Sequence, residues 1–321
     1  MLQQIGRFVF ATGFVASAMA SIALTAQETN PFPIANHAVW NEHDDAVYGL
    51  AFAPDGTGLA SGSYDKSIKH WNSSSGQVIA TLRGHQDQVF RIAWSPDGKS
   101  LLSCSGDGSA IQWNLPRGKA DFTLAGHGDP MMSASYSPDG NLIATAGFHI
   151  QVWDQGQTRW STPHSQPFFA VAFSPDQKTL ACGTENHVRF LDTESGTTLP
   201  QEIPVTGMVY QVKYAPNEKW LAIASGDQVA IWDLVHHKMH KAIEADTSAL
   251  FATTFSANGE FLITGGRERV VRIWSVPNLK LQTELYGPAE TILAIAISPD
   301  SQRIAAGVYD GTIHLWSRSN P

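Results

Sequence analysis

Residues 79–114 read IATLRGHQDQVFRIAWSPDGKSLLSCSGDGSAIQWN, and this stretch decides the fold. Apolar and polar residues alternate over short runs, and no apolar stripe of helical spacing appears. The SPDG at residues 95–98 carries the residues of a type I turn, because proline presets φ at the second position and glycine suits the fourth. A second turn follows at residues 106–108, and Gly118 precedes a further apolar run. These features predict four short antiparallel strands in one sheet.

The SPDG tetrapeptide, or an altered copy of it, occurs seven times along the chain at intervals of 37 to 42 residues. The copies begin at Ala53, Ser95, Ser137, Ser174, Ala215, Ser256 and Ser298. A tryptophan, replaced once by leucine, follows in step at Trp71, Trp113, Trp153, Leu191, Trp232, Trp274 and Trp316. A period of about 40 residues with a tryptophan near the end of each unit is typical of a β-propeller. The sequence therefore predicts an all-β fold, a seven-bladed β-propeller with four antiparallel strands in each blade.

Composition and charge narrow the range of functions. The length of 321 residues alone suggests two domains, but a ring of similar units shares one continuous core. Only 16% of the residues are charged and 27 are glycine, which suits short strands joined by tight turns. The formal charge is −8, and no basic stripe or Lys/Arg cluster is present. A negative net charge without a basic patch argues against a nucleic-acid partner.

The first 26 residues lie outside the repeat and predict a secretory signal peptide. Arg7 carries their only charged side chain, residues 8–26 form an uncharged run, and residues 18–20 fit an A-x-A cleavage site. The alternative is an uncleaved membrane anchor, since about 20 residues can span a bilayer. Residues 27–35 are then a linker, and residues 36–321 form the propeller. We expect an exported protein that is periplasmic or extracellular, or one that residues 8–26 anchor to the membrane.

Further markers recur in step with the turn and the tryptophan. A Gly-His pair stands at residues 84–85 and 126–127, and a Trp-Asp pair stands at residues 153–154 and 232–233. Over residues 36–317 these motifs resemble the WD-repeat family of β-propellers, with several repeats degenerate. The resemblance implies a rigid disc that acts as a platform for protein partners. That function is inferred from the family, because fold alone does not determine function.

The resemblance also implies a buried structural network in the two best-preserved repeats. One network consists of His43, Ser61, Asp65 and Trp71, and the other of His85, Ser103, Asp107 and Trp113. A Ser-His-Asp set is also the composition of a nucleophile triad. A catalytic triad has no reason to occur twice in register, so we interpret both sets as structural and predict no catalytic residue. Such networks stabilise a fold because each buried polar group finds a partner.

The ends of the chain predict how the ring closes. Residues 38–41 align with residues 80–83, the outer strand that precedes His85. After Trp316 the chain is too short for another outer strand. We therefore expect the N-terminal segment to supply the fourth strand of the last blade, beside residues 312–316, because closure removes exposed sheet edges.

The cysteines and the histidine cluster do not predict a metal site, and no cofactor is expected. Cys104 and Cys182 fall on apolar strands two units apart, where buried thiols are expected rather than a disulfide. His236, His237 and His240 lie in a turn, so no helix sets their spacing, and zinc requires three or four convergent ligands.

One position holds a large, mainly apolar side chain in all seven units, directly after the buried residue that opens the inner strand. Its occupants are Tyr48, Phe90, Met132, Phe169, Tyr210, Phe251 and Leu293. In WD-repeat proteins this position borders the upper mouth of the channel. Tyr64 and Tyr309, with Arg91 nearby, would extend the patch. An aromatic patch on a rigid platform predicts a protein-binding surface. The alternative is that these side chains only pack neighbouring blades around the axis.

These observations predict a non-catalytic protein–protein interaction scaffold that is exported and binds a partner on its upper face, around the channel mouth. One alternative is an envelope enzyme or small-ligand-binding propeller with its site in the central channel, which requires titratable side chains that converge there. Another is a structural subunit of an envelope assembly. We expect a monomer or a subunit of a hetero-complex, with membrane contact only through the N-terminal segment if that segment is retained.

Overall fold

The structure is a computed structural model that describes residues 32–163 and 166–319. Within these residues the chain forms strands β1 to β27, joined by turns and short loops. The sheets are antiparallel and arranged as blades around a central channel. The inner strands of consecutive blades contact one another in a complete cycle, and the last contacts the first. The predicted all-β propeller is therefore confirmed.

The strands follow the repeat along the chain. Blade 1 comprises β2 (Val47–Phe52), β3 (Gly58–Ser63), β4 (Ser67–Asn72) and β5 (Val78–Arg83). Blade 2 comprises β6 (Val89–Trp94), β7 (Ser100–Ser105), β8 (Ser109–Asn114) and β9 (Lys119–Ala125). Blade 3 comprises β10 (Ser133–Tyr136), β11 (Leu142–Ala146), β12 (Ile150–Asp154) and β13 (Gln157–Ser161).

The second half of the ring contains one strand that two blades share. Blade 4 comprises β14 (Ala170–Phe173), β15 (Thr179–Gly183), β16 (Glu185–Asp192) and the first part of β17 (Thr198–Tyr214). Blade 5 comprises the last part of β17, β18 (Trp220–Ser225), β19 (Gln228–Asp233) and β20 (Lys238–Glu244). Blade 6 comprises β21 (Leu250–Phe255), β22 (Phe261–Gly266), β23 (Val271–Ser275) and β24 (Lys280–Leu285). Blade 7 comprises β25 (Ile292–Ile297), β26 (Arg303–Val308), β27 (Ile313–Arg318) and β1 (Ile34–Trp40).

The shared strand β17 departs from the expectation of seven separate sheets. It pairs with β16 through residues up to Met208 and with β18 from Val209 onward, so blades 4 and 5 form one seven-stranded sheet. Gly207 has φ +80°, a conformation that glycine adopts without strain, and it allows the strand to bend between the blades. The connection lacks the Gly-His loop of blades 2 and 3, so the backbone stays extended from one blade into the next.

The SPDG segments form the tight turns that the sequence predicts. In the turn at residues 95–98, the Gly98 amide donates to the Ser95 carbonyl oxygen over 2.9 Å, and Gly98 has φ +71°. The Asp97 side chain accepts hydrogen bonds from the Ser95 hydroxyl over 2.6 Å and from the Lys99 amide over 3.1 Å. The turn residues satisfy one another locally, which fixes where each inner strand ends.

The hydrophobic core lies between adjacent blades. Val47, Leu59 and Trp71 of blade 1 pack in one cluster with Ala305 and Leu315 of blade 7. The blades approach closely where glycines face a neighbour. A Cβ atom added to Gly62 would lie 2.7 Å from Cγ1 of Val89, which is shorter than real contacts allow. Blade-to-blade packing therefore depends on complementary small and large residues.

The N-terminal strand closes the ring as predicted. β1 pairs antiparallel with β27, with His37 opposite Trp316. Phe32, which precedes β1, is buried at 1% exposure in the cluster between blades 6 and 7. The Trp40 ring stacks on that of Trp71 in blade 1 with the ring centroids 5.2 Å apart. These contacts tie the start of the chain to three blades.

An arginine adds polar contacts at the same closure. Arg303 of blade 7 donates from Nη1 to the Ser73 hydroxyl over 2.7 Å and from Nη2 to the Gly56 carbonyl oxygen over 2.9 Å. Both acceptors belong to turns of blade 1. The junction between the first and last blades is therefore held by hydrogen bonds as well as by apolar packing.

The predicted segments at the N-terminus are only partly described. The signal peptide or anchor assigned to residues 1–26 lies outside the described residues. Strand β1 begins at Ile34, so residues 34–35 of the predicted linker belong to the propeller. Nowhere in residues 32–163 and 166–319 is there a helix long and apolar enough to cross a bilayer. Cys104 and Cys182 are buried and free, as predicted.

Candidate functional site

The central channel and its upper mouth bring most of the predicted site residues together. The seven inner strands line a cavity of about 350 Å³. Each inner strand begins at the mouth and runs toward its SPDG-type turn at the opposite face. Side chains near the start of the inner strands therefore surround the opening, and those further along face the interior of the channel.

The large side chains at the recurring position differ in accessibility. Six of them are half-buried: Tyr48, Phe90, Met132, Phe169, Tyr210 and Phe251. Leu293 is only 4% exposed, so it packs within the ring and offers no surface to a partner, contrary to the expectation from its place in the repeat. Partial burial gives the six a fixed position while part of each side chain stays accessible.

Three aromatic rings from blades 1 and 2 form one cluster at the mouth, which we call the aromatic cluster. Tyr48 stacks on Tyr64 with ring centroids 5.2 Å apart. Phe90 meets both rings edge-on, with centroids 5.8 Å from Tyr48 and 5.9 Å from Tyr64. Burial and the neighbouring Tyr48 and Tyr309 raise the pKa of Tyr64 to about 12. Tyr309 of blade 7 is 58% exposed, and it extends the aromatic cluster toward solvent.

A second aromatic pair lies at blades 5 and 6. The rings of Tyr210 and Phe251 meet edge-on, with centroids 5.0 Å apart. Edge-to-face pairs of this kind are stabilising beyond the area that they bury. The channel mouth thus carries aromatic surface on two arcs of the ring.

Arg91 connects the two arcs. Its Nη1 donates to the carbonyl oxygen of Tyr48 over 3.3 Å, and its Nη2 donates to the carbonyl oxygen of Tyr210 over 3.0 Å. The guanidinium also lies 5.7 Å from the centroid of the Tyr48 ring, within cation–π range. The residue was predicted only as a neighbour of the patch, whereas it spans the channel from blade 2 to blade 5.

The channel wall consists of two layers of seven residues. The upper layer contains Gly49, Arg91, Ser133, Ala170, Gln211, Ala252 and Ala294. The lower layer contains Ala51, Ala93, Ser135, Ala172, Lys213, Thr254 and Ala296. Each layer therefore holds one cation among small or neutral side chains. Among the described lining residues there is no carboxylate.

Lys213 is absent from the predicted set of site residues. The Lys213 side chain is exposed to the cavity of the channel, which the blades enclose. This enclosure lowers the pKa of Lys213, and the charge of Arg91 lowers it further. The signal was present in the sequence. When the seven repeats are aligned on their turns, Lys213 stands where the other units have Ala, Ser or Thr.

The structural networks in blades 1 and 2 form continuous hydrogen-bonded chains. In blade 1, His43 Nδ1 donates to the Asp65 carboxylate over 2.7 Å, so its Nε2 accepts from the Ser61 hydroxyl over 2.6 Å. The Trp71 indole N–H donates to the same hydroxyl oxygen over 2.7 Å. Burial alone would raise the pKa of Asp65, but hydrogen bonds from His43 and Ser67 hold it well below the usual range.

The second network repeats this geometry. His85 is bonded to Asp107 over 3.0 Å and to Ser103 over 2.7 Å, and Trp113 donates to Ser103 over 2.8 Å. Ser103 is fully buried, as is the equivalent serine of blade 1. A hydroxyl that no substrate can reach does not act as a nucleophile, so the arrangement stabilises the blade.

Other blades keep fragments of the network. In blade 3, His127 is bonded to Thr145 over 2.8 Å, and Trp153 donates to the same hydroxyl over 2.9 Å. In blade 6, Trp274 donates to Thr264 over 2.8 Å. In blade 5 the buried indole nitrogen of Trp232 has no hydrogen-bond partner among the residues that the structure describes. The polar support of the blades is therefore uneven around the ring.

The histidine cluster of blade 5 does not converge: His236 and His237 lie in the turn between β19 and β20, whereas His240 lies on β20 and not in the turn as predicted. His236 Nδ1 is 2.8 Å from the Asp233 carboxylate, and the His240 ring lies against Trp220 with centroids 5.0 Å apart. In the part of the chain that the structure describes, no group of three His, Cys, Asp or Glu side chains is placed to hold a metal ion.

Seven blades, the buried His-Ser-Asp-Trp networks and an aromatic channel mouth define a propeller of the WD40 type. Residues 46–317 match the family model described as the IFT122 first beta-propeller. The chain belongs to this family of WD40-type β-propellers, whose members are generally non-catalytic.

Individual relatives are more distant. The chain is similar to transducin beta-like protein 3 of Bos taurus, at 28% identity over 171 residues, which cover 51% of this chain and 21% of that protein. The rice (Oryza sativa subsp. japonica) small ribosomal subunit protein RACK1y is 37% identical over 79 residues, which cover 24% of each chain. Nuclear distribution protein nudF of Aspergillus niger is 24% identical over 332 aligned residues, which cover 93% of this chain and 66% of that protein. The chain thus spans between 21% and 66% of the length of these relatives.

Proposed function

We propose that this protein is an exported, non-catalytic scaffold that binds a protein partner on the upper face, around the channel mouth. The aromatic cluster supports the proposal most strongly. Tyr48, Tyr64 and Phe90 are half-buried and in mutual contact, so their position is fixed before a partner arrives. Preorganised aromatic side chains at the centre of a surface are typical of binding hot spots.

The family supports the same general role. WD40-type propellers typically act as protein-interaction scaffolds, and residues 46–317 match one of them. Arg91 strengthens the proposed surface because arginine and tyrosine are both enriched where protein partners bind. Its hydrogen bonds to Tyr48 and Tyr210 hold the two aromatic arcs at a fixed separation.

The proposed export rests on residues 1–26, whose sequence has one basic residue, an uncharged run and an A-x-A site. We propose a periplasmic or extracellular location, with residues 8–26 as a membrane anchor if they are not removed. Cell fractionation and the mass of the mature N-terminus test this. A cytosolic protein that keeps its intact N-terminus would refute the export.

The binding surface is tested by site-specific photo-cross-linking in the native host. A photoreactive phenylalanine analogue at Phe90 or Phe251 should trap a partner, whereas the same analogue at Phe122 should not. Phe122 is a matched control because it is also partly accessible, at 40% exposure, but lies on the outer strand β9.

Substitution separates binding from packing. The double variant Phe90→Asp and Phe251→Asp should lose the cross-linkable partner and stay folded, with a melting temperature lowered by about 5–10 °C because three aromatic contacts are lost. Phe122→Asp should keep the partner. If the double variant melts far lower, the side chains serve mainly to pack the blades. A stable double variant that still holds the partner would refute the proposed surface.

A further inference from the structure

We propose that the central channel is an anion-binding site in which Arg91 and Lys213 together hold one oxyanion group, a carboxylate or a phosphate. The site goes beyond the proposed scaffold role, because it lies inside the channel and recognises an oxyanion group rather than a protein surface. Its two cations come from different blades and from different layers of the wall.

The first argument is the charge that the channel leaves uncompensated. Neither Arg91 nor Lys213 forms an ion pair with a carboxylate in the described residues, and no Asp or Glu lines the cavity. The protein as a whole is acidic, with a formal charge of −8, so two unpaired cations in one enclosed space run against its average composition. Both side chains face a cavity that the blades enclose, and a bound anion would compensate the two positive charges there.

The second argument is geometry. Arg91 and Lys213 lie in successive layers, which are separated by roughly 7 Å along a strand. An oxyanion between the two layers is within reach of both flexible side chains. The hydrogen bonds of Arg91 to Tyr48 and Tyr210 hold its guanidinium over the channel, and Arg91 still has unused N–H donors.

The third argument is space and polarity. The other wall positions are mostly Gly, Ala or Ser, and together they leave a cavity of about 350 Å³, which lies in the range of small-molecule sites. The side chains of Gln211 and Ser133 add hydrogen-bond donors to the wall, because the oxygen atom of each already accepts a hydrogen bond from a backbone amide. The Gln211 amide oxygen accepts from the Thr253 amide over 2.8 Å, and the Ser133 hydroxyl accepts from the Val171 amide over 3.3 Å. Their remaining N–H and O–H groups suit an anion.

The depressed basicity of Lys213 is consistent with this site. Burial and the charge of Arg91 lower the pKa of Lys213, which means that keeping Lys213 positively charged in the channel costs free energy. An anion removes that cost by neutralising the repulsion. The oxyanion can come from a free small molecule or from an acidic side chain of a bound polypeptide, since both carry the same group.

The test uses the full chain and three probes: inorganic phosphate, succinate and a hexaglutamate peptide. Each is added in excess, and the acetylation rate of Lys213 by acetic anhydride is followed by peptide mass spectrometry. Lys99, which is exposed on a turn, is the internal control. At least one probe should slow the acetylation of Lys213 by about tenfold and leave Lys99 unchanged. Protection by phosphate or succinate indicates a free anion, and protection by hexaglutamate alone indicates an acidic polypeptide.

Thermal melting provides the second measurement. The protecting probe should raise the melting temperature of the native chain by about 3 °C. Lys213→Met should lose this rise, and Lys99→Met should keep it. If none of the probes protects Lys213, or if Lys213→Met and the native chain respond equally, the proposal is wrong. Should Lys213→Met fail to fold, the protection measured on the native chain decides. If Lys213→Met no longer responds to the anion but still captures the protein partner, the anion site and the scaffold role are independent, and the scaffold proposal is unaffected.

Discussion

Arg91 of blade 2 donates a hydrogen bond to the carbonyl oxygen of Tyr210 in blade 5 over 3.0 Å, across the central channel. The two residues are 119 positions apart in the sequence. One side chain therefore fixes the distance between two arcs of the channel mouth and places a positive charge at its centre. The same charge acts on Lys213, one layer deeper.

Replacing Arg91 by methionine should raise the pKa of Lys213 toward its ordinary value of 10.5, because one of the two causes of its depression is removed. The pH dependence of Lys213 acetylation measures this pKa. Lys178→Met is a suitable control because Lys178 is exposed on a turn remote from the channel. An unchanged titration of Lys213 in the Arg91 variant would show that burial alone sets its pKa.

Asp65, which belongs to the buried network of blade 1, should contribute far more to stability than Asp310, which holds the same loop position in blade 7. Asp65→Ala leaves His43 and Ser67 without their acceptor, and we expect a loss of about 2–3 kcal/mol in the free energy of unfolding. Asp310→Ala, at the equivalent position but bonded only to its own loop, should cost about 0.5 kcal/mol. Urea denaturation gives both values, and equal losses would contradict the structural role of the network.

Closure by β1 predicts a large effect of truncation. A chain that begins after residue 42 loses Phe32 and Trp40, whose burial alone is worth about 4 kcal/mol, and it also loses the pairing with β27. A chain that begins at Pro31 keeps all of these contacts and should melt like the native protein. Thermal melts followed by circular dichroism compare the two. The role of β1 is disproved if the shorter chain melts at the native temperature.

Blades 1 and 2 should be the most rigid, because only they contain the complete network. We expect backbone amides of β3 and β7 to exchange with deuterium about tenfold more slowly than those of β15 in blade 4. In blade 4, Leu191 replaces the tryptophan and Cys182 the serine. Hydrogen exchange with mass spectrometry resolves these peptides. Comparable protection in all three strands would contradict the expectation.

Acid should destabilise blade 3 through His127. Burial and the nearby His149 lower the pKa of His127 from 6.5 to about 4. The unfolded chain takes up this proton more readily than the folded one. The contribution of His127 to the free energy of unfolding is therefore complete above about pH 6.5. It is lost as the pH falls toward 4, which lowers the free energy of unfolding by about 3 kcal/mol. His127→Asn should remove this part of the pH dependence.

Denaturant titrations between pH 7 and pH 4 measure the effect of His127 as a difference between the two chains. Other histidines with lowered pKa values, such as His85, contribute equally to the native protein and to the variant, so their contributions cancel in the difference. If the native protein and His127→Asn lose stability in parallel, His127 does not carry the expected charge penalty.

Much of the fold is local and was therefore predictable. The turn at residues 95–98 forms through bonds among its own members, and the same composition recurs in each unit. The partners of His43 lie within the same repeat, at Ser61 and Asp65, so the resemblance of that one repeat to the WD-repeat family was enough to predict the network. The pairing of β1 with β27 followed from an unmatched outer strand at one end and a missing one at the other.

What was not predicted depends on how distant repeats meet. The continuous strand β17 results from a connection without a loop motif, and a missing motif does not specify its own conformation. Leu293 is buried whereas Phe90 at the equivalent position is half-buried, and this difference depends on the contacts that each residue makes with other blades. Lys213 was visible as an odd residue in the aligned repeats, but its meaning required the knowledge that Arg91 reaches the same channel.

The sequence by itself determined the number of blades and most of their strands, because both are set by short-range turn chemistry repeated at a constant interval. Only the tertiary structure decided the composition of the channel. Its wall takes two residues from every blade, and the distance between Arg91 and the Tyr210 carbonyl oxygen depends on the radius of the closed ring. That radius follows from the packing of all seven interfaces at once, which no single repeat encodes.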